Sequence, residues 1–199
     1  MQNIFFIKIV FLTSILSICE THAQVEPNFN YQVLTRVGHL SKDKELDSIV
    51  VKQDTVNEFK PYKLEIYINK KKSRKALVVS TDKAIAPEHF RGVDGLDGKK
   101  SFSDIRIKNR IFTIVHNYEN QVQEHSFSLE GSRFKLIKYY SIKLEEKGKI
   151  IYETINFNTL IRRTKTINSS DNQVLDREYK LSTGSKYLKD LNMVPETYQ

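Results

Sequence analysis

Apolar residues recur at every second position through most of this chain, and beyond its N-terminal stretch no segment sustains the ~3.6-residue apolar period of a helix. Leu64, Ile66 and Ile68 alternate with Lys63, Glu65, Tyr67 and Asn69, so a strand here turns one face to a core and the other to water. Similar β-rich runs cover Tyr31 to Val37, Ala76 to Val79, Ile105 to Lys108 and Ile111 to His116. They continue over Gln123 to Leu129, Phe134 to Leu144, Ile150 to Phe157 and Leu160 to Ile167. Ile49-Val50-Val51 is a short continuous run, as expected of a strand buried on both faces. Turns fall at Asn109-Arg110, Glu130-Gly131-Ser132 and Glu146-Lys147-Gly148, two of them with a glycine where a positive φ costs least. Phe134, Leu136, Tyr140, Ile142 and Leu144 share one parity, which predicts a strand pair or one long bent strand with a single buried face. Helix candidates are short: Ala84 to Phe90, interrupted by Pro87, and Tyr187 to Leu191.

The expected fold is therefore mostly β, an antiparallel sandwich or strongly curled sheet built of successive hairpins with few short helices. The domain is expected over 24–168, followed by a loosely held C-terminal segment over 169–199 with a short helix. A length of 199 residues with 39% hydrophobic residues is enough for one domain with its own core. The single cysteine excludes a disulfide framework and any cysteine-based zinc site within one chain.

The N-terminus has a different character. Ile9 to Ile18 is apolar but for Thr13, Ser14 and Ser17, Lys8 precedes it, and Thr21-His22-Ala23 supplies small or tolerable residues before Gln24. This is the layout of a secretory signal peptide over 1–23 with cleavage after Ala23. Lys8 splits the apolar stretch and leaves it short of the ~20 residues of a spanning helix, so no transmembrane segment is expected after cleavage. The expected location is the periplasm or the exterior. Cys19 offers the alternative of an outer-membrane lipoprotein, against which stands the β-branched Ile18 just before it.

Lys8 and Glu20 cancel, so the formal net charge of +8 belongs to the part after the leader. Its cations cluster at Lys70, Lys71, Lys72 and Arg74, where they form a hairpin tip that keeps the flanking strands soluble. They cluster again at Arg162 and Arg163. These residues are the candidate contacts for an anionic envelope polymer or an acidic protein. Export argues against nucleic acid as the partner.

Reaction chemistry is thinly represented. Gly92, Gly95 and Gly98 lack the flanking strand and helix that a phosphate-cradling loop requires. No nucleophile elbow or zinc spacing occurs. His116 and His125 face each other across a hairpin around Tyr118-Glu119-Asn120, near Glu124, and are expected as surface residues. Glu119, Glu124, Glu145 and Glu153 are the carboxylates from which a glycosidase-type pair would have to be drawn. The leading expectation is an exported, non-enzymatic binding or structural protein of the bacterial envelope without a cofactor. The alternative is an exported hydrolase acting on glycan or peptide through such a carboxylate pair.

Gly38 to Val51 resembles the opening of a solitary repeat of the FG-GAP or integrin type, found in exported bacterial, Bacteroidetes-type, β-rich proteins. Ile105 to Ile114, Ser126-Phe127 through Phe134 to Ile137, and Asn156 to Thr159 are similar to later segments of the same proteins. The resemblance spans most of residues 31–165 and implies fold and address, with no activity attached. It also implies a calcium loop in decay: His39, Ser41 and Lys44 stand where the fuller pattern has Asp, Asn and Gly. Asp43 and Asp47 alone supply too few of the about six to eight oxygens calcium takes. No metal is therefore expected, and Lys44 is expected to replace the ion by pairing with Asp43 or Asp47.

Overall fold

The computed structural model describes residues 27–70, 74–89, 102–170, 173–182 and 187–190. The leader 1–23 with Cys19, the tip residues Lys71 and Lys72, and the loop of Gly92, Gly95 and Gly98 lie outside the described residues.

The chain folds as two antiparallel sheets. A four-stranded sheet runs in the order β1 (Tyr31–Gly38), β2 (Asp47–Gln53), β3 (Tyr62–Lys70), β4 (Arg74–Thr81). A seven-stranded sheet contains β5 (Phe102–Lys108), β6 (Ile111–Tyr118), β7 (Gln121–Glu130), β8 (Arg133–Leu144), β9 (Lys149–Asn156), β10 (Ile161–Asn168) and β11 (Val174–Lys180). Within each sheet every strand pairs with its neighbours in sequence, so each is a meander of hairpins, and neither closes into a barrel. The alternation of apolar residues thus reports the fold class correctly. Among the described residues no helix is long and apolar enough to cross a membrane.

One core is shared by both sheets. Ile49, Val51, Leu64 and Ile66 of the smaller sheet form a single cluster with Ile105, Phe112, Ile114, Phe127, Phe134 and Leu136 of the larger. Phe112 stacks on Phe127 at 5.0 Å between ring centroids and meets Phe134 edge-on at 5.2 Å. Such pairs add about 0.5–1.5 kcal/mol each to what their burial contributes. β2 is buried on both faces, as its unbroken apolar run requires: Ile49, Val50 and Val51 are all buried.

Four expectations need correcting. The parity stripe of β8 does not mark one buried face. A bulge at Ile137 separates Leu136, which pairs with Phe127, from Lys138, which pairs with Ser126. The extra residue turns the strand over. Beyond it Tyr139 and Ser141 point inward, while Tyr140, Ile142 and Leu144 are carried to the other face and Leu144 is exposed.

The described part of the segment after residue 168 is not loosely held. Val174–Lys180 forms β11 along the whole of β10, and Leu188 is buried in the core. Lys135 bridges to Tyr187, whose hydroxyl donates to Glu130 Oε2 at 3.0 Å and whose ring lies under Arg133. In place of the expected helix Tyr187 to Leu191, the described residues show one 3-10 turn, Leu188–Asp190. The helix expected from Ala84 is absent as well. Ala84, Ile85 and Ala86 are all buried in an irregular segment, whereas a helix would turn consecutive side chains around its axis.

Candidate functional site

The seven-stranded sheet is wider than the sheet packed on it, and its inner face changes character across its width. One cross-strand row reads Ile114, His125, Tyr139, Ile155, Arg162, Tyr179. The next reads His116, Gln123, Ser141, Glu153, Thr164, Arg177. Both start in the core and end in the open, because not one residue of β9, β10 or β11 is buried.

At the buried end sit the two histidines. His116 is fully buried and His125 nearly so, with ring centroids 5.9 Å apart and the rings edge to face. Tyr139 lies 4.9 Å from His125. Both nitrogens of His116 and Nδ1 of His125 have no hydrogen-bond partner. Burial drives the pKa of His116 down to about 3, helped by the charge His125 would carry, and burial alone takes His125 to about 4. Both rings are thus neutral near pH 7. The expectation of surface residues beside Glu124 fails. Register puts Glu124 on the opposite face, where it accepts from Arg106 at 2.9 Å.

Next along the face, burial holds the Tyr139 phenol above its ordinary value, while a hydrogen bond with Ser141 works the other way. Glu153 then pairs with Arg162 at 2.6 Å. At the open end Arg162, Thr164, Thr166, Leu175, Arg177, Tyr179 and Leu181 line a concavity of about 410 Å³. Arg177 has no ion-pair partner among the described residues. Of this lining only Arg162 is among the contacts expected from the sequence. The bulge that turns Tyr139 and Ser141 inward is a property of the strand pairing, and β11 carries too little apolar alternation to be seen.

The expected contact residues are dispersed. Arg162 and Arg163 are neighbours on β10 and so face opposite ways. Arg162 belongs to the inner row, and Arg163 pairs with Glu178 at 2.7 Å on the outer face. Lys70 and Arg74 are cross-strand partners at the tip of the other sheet. The four carboxylates are not gathered into one cleft: Glu119 sits in the β6–β7 turn, Glu145 lies between Lys143 and Lys149, and Glu124 and Glu153 project to opposite faces.

In the loop 39–47, Asp47 is fully buried and saturated by backbone donors. Its Oδ2 accepts from the Leu40 and Ser41 amides at 2.8 and 2.9 Å, and its Oδ1 from the Asn69 amide at 2.9 Å. Asp43 Oδ1 accepts from Ser41 Oγ at 2.8 Å and from the Glu45 amide at 3.1 Å. Lys44 pairs with neither carboxylate, so the expected replacement of calcium by that lysine does not occur. No group of three or more metal-ligating side chains occurs among the described residues.

Comparison with protein-family models, with curated proteins and with solved structures gave no match.

Proposed function

We propose that the protein is exported and acts without catalysis at the bacterial envelope, holding an anionic polymer on the open inner face of β9–β11. The observation that carries this reading is the composition of that face. Where the covering sheet ends, the inward residues change from Phe112, Phe127 and Leu136, past Ile155 and Glu153 on β9, to Arg162, which Glu153 pairs, and Thr164, Thr166, Arg177 and Tyr179 around one concavity. A polyanionic glycan presents acidic groups for guanidinium forks, hydroxyls for threonines and ring faces for an exposed tyrosine. The net charge of +8 favours approach of such a polymer at low salt.

The test is binding of the full chain to purified lipopolysaccharide across a salt series. Retention should weaken with salt and fall at least tenfold, roughly the loss of one charge-assisted contact, in Arg177→Ala/Tyr179→Ala. Loss only on replacing Lys70, Lys71, Lys72 and Arg74 with Ala would move the contact to the hairpin tip. Capture of an acidic protein with no retention on polymer would refute the polymer as ligand. Protein recovered from the periplasm should begin at Gln24, and recovery with its leader attached would refute cleavage.

A further inference from the structure

At the opposite edge of the seven-stranded sheet from β11, the loop after β1 meets the β5–β6 turn across a concavity of about 620 Å³. Its polar lining is His39, Asp43, Lys44, Lys108, Asn109 and Arg110. Three cations therefore share it with one carboxylate, whose Oδ1 accepts from Ser41 Oγ and the Glu45 amide. Lys44, Lys108 and Arg110 have no ion-pair partner among the described residues. His39 Nδ1 donates to the Glu45 carbonyl at 3.1 Å, which orients the ring and leaves Nε2 as its remaining polar atom.

Two backbone features hold this arrangement. Gly38 lies so close to β5 that a Cβ there would stand 2.8 Å from Ile107 Cγ2, and this approach brings the loop against the strand leading to Lys108. The β5–β6 connection is a two-residue hairpin, Lys108 pairing with Ile111, with Asn109 at φ 52° and Arg110 at φ 61°. Such turns favour glycine at the second position, because a side chain there is strained. An arginine is kept in that place, and its side chain lines the cavity.

We propose that this concavity is a binding site for a phosphate or sulfate group, with Arg110 as the guanidinium fork and Lys44 and Lys108 as flanking charges. An oxyanion would satisfy three cations that the fold gathers and leaves uncompensated. The site does not rest on the β9–β11 face, and the two readings fail separately.

The test is titration of inorganic phosphate, and of sulfate in parallel, into the full chain at low ionic strength by calorimetry, with chloride matched for ionic strength. Saturable binding is expected. Arg110→Gly should weaken it at least tenfold, about what one charge-assisted contact supplies, while the variant melts no lower than the parent because glycine suits that φ. Lys108→Gln should weaken it as well, and Lys83→Gln, an exposed lysine outside the lining, should not. Absence of saturable binding, or binding indifferent to Arg110→Gly, overturns the site. Phosphatidylglycerol vesicles against phosphatidylcholine alone distinguish the sources. Sedimentation lost in Arg110→Gly assigns the phosphate to a lipid headgroup, and sedimentation indifferent to it, with phosphate binding intact, assigns it to a soluble ligand.

Discussion

Acid should destabilise this protein in a pH window that belongs to two residues. In the unfolded chain His116 and His125 titrate near the ordinary value of about 6.5. In the folded protein burial holds them at about 3 and about 4. Between those limits the unfolded state binds more protons than the folded one, so the free energy of unfolding rises with pH. The contribution is complete above about pH 6.5 and is lost progressively as the pH falls towards the folded values. From pH 7 to pH 5 each ring should cost roughly 1.5 units at about 1.4 kcal/mol per unit, or about 2 kcal/mol. The pair together is worth about 4 kcal/mol, a large share of the 5–15 kcal/mol typical of a domain.

The carboxylates do not blur this window. Burial works to raise Asp54 and Glu65. Backbone N–H groups from Asn28, Val56 and Asn57 more than offset it for Asp54, and Lys52 and the Tyr67 hydroxyl do so for Glu65. Both therefore lie below their ordinary values and begin to cost stability only under about pH 5. Urea unfolding followed by circular dichroism at pH 7, 6 and 5 measures the slope. His116→Leu/His125→Leu should be no less stable at pH 7, because it removes three buried nitrogens without partners, and should lose most of the slope. A parent curve flat between pH 7 and 5, or the same slope in the double variant, would refute the reasoning.

Gly38→Ala places a methyl 2.8 Å from Ile107 Cγ2 and should cost about 1–3 kcal/mol in urea unfolding, the usual price of overpacking; an unchanged midpoint would show that β1 and β5 separate freely. Asp47→Ala strands the amides of Leu40, Ser41 and Asn69 and should cost about 3 kcal/mol or more, at about 1–3 for each buried donor left unpaired. Because those donors already fill Asp47, added calcium should leave the melting temperature where it was, and a rise would restore the metal loop.

How far the fold was legible follows from what each feature depends on. Alternation such as Leu64, Ile66, Ile68 is written wherever one face of a strand is buried, and those strands were readable. The turn at Gly131 was readable too, since its φ of 62° is a glycine conformation. β11 was not, because all its residues are exposed and backbone pairing to β10 needs no pattern in the side chains. Nor was the bulge at Ile137, since the residue that drops out of a ladder is chosen by the partner strand. Spacing put His116 and His125 together on one hairpin, but their depth depends on a second sheet that local sequence does not mention.

That dependence also bears on what covers the remainder of the large sheet. A face awaiting a hydrophobic layer carries apolar residues inward, as β6, β7 and β8 do with Phe112, Phe127 and Leu136. On β10 and β11 the same inward positions hold Arg162, Thr164, Thr166 and Arg177, with Leu175 and Tyr179 as the exposed apolar exceptions. Burying that set under another protein core would strand the Arg177 guanidinium, which has no ion-pair partner among the described residues, at a cost of several kcal/mol. A polar ligand that brings its own acceptors meets no such cost, which is why charge, and not exposed apolar area, selects the occupant proposed for this face.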